Sequence, residues 1–223
     1  MELSAASLFL PEVYMFPRFF ITVLLILGSL LCSFADSDMR SRSIVYSIEN
    51  GSSLSITGSS NVNTFSCLCA ETFKRQVLEV VRVDSIRQFR FRNALIKLPT
   101  QSMDCNNTRM NSDLCDALKA SRYPFIVVEL QQIQLRPSAL KAVNNEWFDV
   151  VAMANLTITD VCKPIVMDVR GIRLSDDRYR FVCSKNVRMT DFNVDPPTAL
   201  FGLIKVDNEI KINLDITASV GNK

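Results

Sequence analysis

The chain has 223 residues, 48% apolar and 22% charged, which supplies a substantial core and excludes wholesale disorder. Its net charge is +2 with Lys and Arg scattered, which excludes a dedicated nucleic-acid surface, because that needs a concentrated basic stripe. It contains no histidine, so the usual base of serine and cysteine triads and the commonest metal ligand are both missing, and no metal, cofactor or catalytic group is expected.

In chain order, Arg18 precedes the apolar run FFITVLLILGSLL at 19–31, and Ser33 and Ala35 place small residues where a signal peptidase requires them. The layout predicts a signal peptide over 1–35, with Met15 as an alternative start, and a periplasmic or secreted product. A retained anchor is the rival, since 19–35 lies at the short end of a bilayer span. Cys32 falls inside this segment, leaving Cys67, Cys69, Cys105, Cys115, Cys162 and Cys183 in the exported part. An even set in an exported domain predicts disulfides without choosing the pairing. Cys105 and Cys115 flank a short connection and are the first candidate pair. Cys67 and Cys69 stand too close together for a zinc hook.

Residues 36–223 carry no linker or repeat and are expected to form one domain. Extended segments are predicted at 43–49, 53–58, 61–69 and 76–83, then at 88–95 with Phe89, Phe91 and Leu95 on one face. A helix is predicted at 112–121, capped by Ser112, with Leu114 and Leu118 on one face at i, i+4 spacing. Strands follow at Phe125–Leu135, Trp147–Ile158, around Ile165, Met167 and Val169 after Pro164, and at 178–189 and 209–218. The last is the clearest: Ile210, Ile212, Leu214 and Ile216 alternate with Glu209, Lys211, Asn213, Asp215 and Thr217, which means one buried and one wet face.

So many half-buried strands predict an all-β fold, an antiparallel barrel of about eight strands with one short helix. Closure would remove exposed edges, and a barrel of that size either fills itself or holds one small ligand. The Trp147–Ile158 strand puts Phe148, Ala152 and Ala154 on its apolar face, and the two alanines would leave space across the lumen. Phe89, Phe91, Phe148, Ala152, Ala154 and Phe181 are therefore the candidate ligand-binding residues.

Four stretches, in this order and spacing, resemble one family. They are GSSNVNTFS at 58–66; 103–114 continuing into ALKASRYPFI at 117–126; NLTIT at 155–159 with KPI at 163–165; and MTDFNVDPP at 189–197 with GLIKV at 202–206. Together they are similar to the YceI-like, lipocalin-type, polyisoprenoid-binding proteins over roughly residues 43–218. Two features depart from that pattern: Asp160 stands where many members have glycine, and the six cysteines are unusual. The resemblance implies an exported, lipocalin-like barrel with a long-chain isoprenoid or other lipid threaded through its lumen. Peripheral membrane contact is a further expectation. The alternative is a non-enzymatic envelope interaction protein with a filled, disulfide-stapled barrel. Whether the lumen is hollow decides between them.

Overall fold

A computed structural model describes residues 41–69, 76–82, 87–199 and 201–221. The expected signal or anchor segment, Met15, Cys32 and the end of the expected fourth strand at Val83 lie outside these residues. In chain order the elements are β1 (Ser41–Ile48), β2 (Ser53–Ser59), β3 (Thr64–Cys69), β4 (Gln76–Arg82), β5 (Gln88–Arg92), β6 (Leu95–Pro99) and β7 (Met103–Asp104). Then come α1 (Thr108–Ala117), β8 (Phe125–Leu135), β9 (Trp147–Ile158), β10 (Val161–Arg173), β11 (Arg178–Arg188), the short β12 (Thr198–Ala199) and β13 (Ile204–Lys205), and β14 (Glu209–Gly221).

Two sequence expectations need correction. The single strand over 88–95 is two strands, β5 and β6, because Asn93 adopts a left-handed φ of 60° and breaks the extended run. The helix begins at Thr108, ahead of Ser112: Asn107 is the cap, its side-chain oxygen accepting from the Met110 N–H at 3.1 Å. It ends where Lys119 turns left-handed at φ 51°.

Eight strands form an antiparallel ring in the order β1-β4-β5-β8-β9-β10-β11-β14, closed by the pairing of β1 with β14. Two long strands each serve two partners end to end along one edge. β14 pairs with β2 through Lys211–Asp215 and with β1 through Ala218–Gly221. β8 pairs with β6 through Phe125–Glu129 and with β5 through Gln132–Gln134. The lumen thus has two ends, one walled by β1, β4 and β5, the other by β2, β3, β6 and β7. The corner from β1 to β2 turns at Gly51, whose φ of 90° suits a residue without a Cβ.

The ring parts along one seam. The β10–β11 ladder joins only Arg170–Arg173 to Tyr179–Val182, so among the described residues β10 is paired from Val161 to Val169 with β9 alone. Pro164 lies in that stretch, where an unpaired edge tolerates a residue without an N–H. Lys185 interrupts the inward series Cys183, Val187 on the opposite bank, and is only partly buried.

Alternation along each strand divides the interior into two clusters. At the β1 end, Val150, Ala152 and Val169 pack with Leu130, Ile133 and Phe148. At the other end, Leu54, Ile56, Leu98, Leu156, Met189 and Phe192 belong to a larger cluster. At the β1 end two aromatic rings meet over a glycine. Gly171 lies opposite Phe148 on β9 and Phe181 on β11, and a Cβ on it would fall 2.5 Å from Phe148 Cζ and 3.2 Å from Phe181 Cδ1. The bare glycine lets both rings close over it.

That same end is clasped by charge. Arg178 on β11 donates to both carboxylate oxygens of Glu49 at 2.8 and 2.7 Å, and Ser219 on β14 donates to the same carboxylate. The Arg178 hydrogen bond is the main reason the Glu49 carboxyl is held down to about 2. A carboxyl whose pKa falls on folding stabilises the fold above its unfolded value near ~4.3, and that contribution fades as pH falls towards the folded value. Glu49→Gln should therefore unfold at lower urea concentration than the parent at neutral pH, and the two curves should converge between about pH 4.3 and 2. Parallel curves at every pH would exclude the carboxylate as the source.

Candidate functional site: an apolar cavity at one end of the ring

Alternation leaves room where α1 and the segment after β11 replace regular strands. A cavity of about 290 Å³ lies at the β2 end of the lumen. Its depth is aliphatic: Leu54 and Ile56 of β2, Leu98 of β6, Ile126 of β8 and Leu156 of β9, all nearly or fully buried, meet there with Ile212 of β14. Met110, Leu114 and Leu118 close one side from α1 and its C-cap, so the face expected from the i, i+4 leucines does cover apolar space. Another wall is the turn after β11, where Met189, Phe192 and Val194 are 7%, 2% and 2% exposed.

Polar groups are confined to the rim. Ser60, Asn63, Asn107, Arg109, Asp113 and Thr198 line the opening, and Arg109 is paired with Asp113 at 3.0 Å across one helical turn. Such a site sorts ligands by polarity along its axis, with a greasy tail inward and a polar end at the mouth. No buried side-chain polar atom among the described residues lacks a partner, so the depth offers no hydrogen bond that would demand a polar guest. Among the described residues, no group of three or more Cys, Asp or Glu is placed to hold a metal.

The turn segments are fixed by local chemistry. Thr159, between β9 and β10, is the left-handed residue of its hairpin at φ 55°, and its buried hydroxyl donates to the Phe192 carbonyl at 2.7 Å. The strained position thus falls on Thr159, and Asp160, where a glycine is expected, needs no positive φ. Asp191 makes an ion pair with Lys163 at 3.5 Å. Tyr123 and Pro124 fix the corner into β8, their carbonyls accepting from the Thr100 hydroxyl at 3.0 Å and N–H at 2.9 Å.

Cysteine pairing departs from expectation. Cys105 is bonded to Cys67, and Cys115 keeps a free thiol. The reason is register: Cys69 lies opposite Met103 and Leu68 opposite Asp104, which sets Cys67 and Cys105 face to face with Cα atoms 3.9 Å apart. Cys115 is carried away along α1 at about 1.5 Å per residue, beyond disulfide reach. Cys162 is exposed, and burial pushes the Cys183 thiol up to about 11, leaving it protonated and unreactive at neutral pH.

The six residues singled out from sequence lie elsewhere in the ring. Phe148 and Ala152 belong with Phe181 to the packed cluster at the β1 end. Ala154 is 2% exposed on β9, and Phe89 and Phe91 are half-buried on β5. None of the six lines the cavity. The residues that do were visible only in part: the helix leucines by spacing, Ile210 and Ile212 by alternation, and Met189, Phe192 and Val194 within the stretch at 189–197. That stretch has no alternation to mark an inward face.

The YceI-like domain family matches the chain over residues 49–218. The structure is similar to a polyisoprenoid binding domain from Saccharophagus degradans implicated in plant cell wall breakdown. Identity there is 13%, the TM-score is 0.56, and the match covers 79% of this chain and 98% of that one. It is also similar to BcnA of Burkholderia cenocepacia, at 16% identity and a TM-score of 0.54, covering 75% of this chain and 96% of that one. No curated protein matches the chain. At these identities the likeness is one of fold.

Proposed function

Because the chain belongs to the YceI-like domain family, we propose that it is an exported carrier that binds the apolar tail of an isoprenoid or similar lipid and performs no chemistry on it. The observation that carries this reading is the cavity itself: about 290 Å³ of space with an aliphatic interior and polar groups only at the mouth. The Saccharophagus degradans domain, described as polyisoprenoid-binding, supports the ligand class. The Cys67–Cys105 disulfide suits an oxidising compartment and so supports export.

The volume sets a scale. It is about twice that of an engineered cavity of ~150 Å³ that takes up benzene, so it accommodates on the order of ten carbons, roughly two isoprene units. At ~0.8 kcal/mol per buried methylene the gross gain is about 8 kcal/mol, which corresponds to a Kd near the micromolar range before the cost of immobilising the chain. A tail reaching deeper than this would have to displace the rings over Gly171. In this reading Phe148, Phe181, Ala152 and Ala154 form the inner stop, with Phe89 and Phe91 behind it.

Delipidated protein should take up one equivalent of a fluorescent farnesol analogue, measured by titration, with about two of its three isoprene units inside and the alcohol-bearing unit at the mouth. An absence of uptake at concentrations up to about a hundred times the micromolar scale would sink the carrier reading and leave the filled-scaffold alternative.

A further inference from the structure

We propose that Gly58 and Phe65 together set the width of the cavity just inside its mouth, and that the bare glycine gives the site room for a methyl-branched chain. The inference rests on the carrier reading and names the pair that selects its ligand by cross-section.

Gly58 on β2 and Phe65 on β3 stand directly opposite each other in the antiparallel ladder. Both belong to inward series. Leu54, Ile56 and Gly58 are the buried positions of β2, and Phe65 lies two residues from the buried Cys67 on β3. Leu54, Ile56, Phe65 and Cys67 all line the cavity, but Gly58 does not. Close approach explains the difference. A Cβ on Gly58 would fall 2.5 Å from Phe65 Cζ, and 3.0 and 3.1 Å from its two Cε atoms. The ring therefore lies down on the glycine and stands between it and the cavity. Gly171 repeats the arrangement with Phe148 and Phe181, but neither of those rings lines the cavity.

The position along the cavity follows from the two strands. One inward step towards the opening brings Ser60 and Asn63, which are polar, and one step the other way brings Ile56 and Cys67. Phe65 thus meets the outer of the two enclosed isoprene units. Carbon atoms in contact rest about 3.5–4.0 Å apart, so a methyl at position 58 would push the ring by about 1–1.5 Å. Both residues face inward, so the push away from the sheet is a push into the lumen. Cζ is the far end of a rotatable side chain, and the ring can yield while the backbone stays in place. The cavity narrows and the sheet persists. Valine, which suits a strand, pushes further than alanine. A branched isoprene unit is wider than a straight alkyl chain by its methyl group, and losing room for a group of that size in an apolar pocket weakens binding about 10–200-fold.

Farnesol and dodecanol test this, because their main chains are equally long and only farnesol carries methyl branches. Equilibrium dialysis of the two tritiated alcohols should show Gly58→Val weakening farnesol at least about tenfold while dodecanol changes less than about threefold. Gly58→Val/Phe65→Ala should bind farnesol as Phe65→Ala does, since no ring remains to be displaced, and urea unfolding checks that each variant is folded. Proton NMR reads the contact without ligand: the ring current of Phe65 should shift the Gly58 α protons, and Phe65→Ala should remove that shift. A parent protein that takes up neither alcohol would overturn the carrier reading and this inference with it. A parent that binds farnesol while folded Gly58→Val binds it equally well, loses both alcohols alike, or is not rescued by Phe65→Ala would overturn this inference alone.

Discussion

Ile212→Trp is expected to abolish binding of a farnesol-length ligand while leaving the ring folded. Ile212 lies on β14, opposite Lys185 on one side and Ile56 on the other, and contributes a half-buried side chain to the cavity wall. An indole there projects into empty space rather than into packed neighbours, so the overpacking penalty that attends such a change in a dense core is small. The space it takes is lost to the ligand. If the indole excludes about five methylenes, the loss is ~4 kcal/mol, close to a thousandfold in Kd, which moves a micromolar interaction out of range. Titration of a fluorescent prenol measures the affinity, and circular dichroism with urea unfolding checks the fold. Binding that survives unchanged in a folded Ile212→Trp protein would place the ligand somewhere other than this cavity.

The second large effect is expected from the disulfide. β7 is two residues long and pairs, among the described residues, only with the end of β3, yet it anchors the approach to α1, the helix that covers the cavity. Local hydrogen bonds help: the Cys105 N–H donates to Asn111 Oδ1 at 2.7 Å, and Asp104 accepts from Asn111 Nδ2 at 3.0 Å. The amide of Asn111 and the N–H of Asn106 hold the Asp104 carboxyl below its ordinary range. These bonds are exposed or partly so, and the covalent link between Cys67 and Cys105 reinforces the short β3–β7 ladder that joins this corner to the sheet. It closes 38 residues of chain, a loop for which restriction of the unfolded state contributes about 2–4 kcal/mol.

Cys67→Ser/Cys105→Ser should therefore unfold about 2–4 kcal/mol more easily, a drop in Tm of roughly 5–15 °C for a domain of this size. The parent protein held in dithiothreitol should behave likewise. Both should also release ligand faster, because Cys67 and Cys105 themselves line the cavity and α1 is freed on one side. Urea unfolding and stopped-flow displacement of the bound prenol measure the two effects. Identical stability of oxidised, reduced and double-serine protein would show that hydrogen bonding alone holds the corner. A loss of stability without faster release would show that α1 stays seated.

Much of the wall of this molecule was readable from residues in order. The period-two series at Ile210, Ile212, Leu214 and Ile216 faces inward as expected, and Ile210 and Ile212 reach the cavity. The segments Phe125–Leu135 and Trp147–Ile158 coincide with β8 and β9. Less was readable where geometry comes from backbone that does not alternate. Asn107 capped the helix in place of Ser112, since several residues in that stretch can cap and only the fold selects one. Asn93 broke a strand that looks continuous by hydrophobic pattern.

Composition and alternation by themselves determined the all-β class, the inward-facing residues of the long strands and the absence of histidine chemistry, because these depend on side-chain type and nearest neighbours along the chain. Tertiary structure alone decided where the cavity at the β2 end lies. An inward-facing alanine leaves room only if nothing fills it from across the ring; Ala152 is met by the cluster around Leu130 and Ile133, while the bulkier walls at Leu54, Leu98 and Leu156 stand far enough apart to leave space. The partner of Cys105 was decided in the same way, by the register of two strands 34 residues apart at Cys69 and Met103, a relation that neither spacing nor composition encodes.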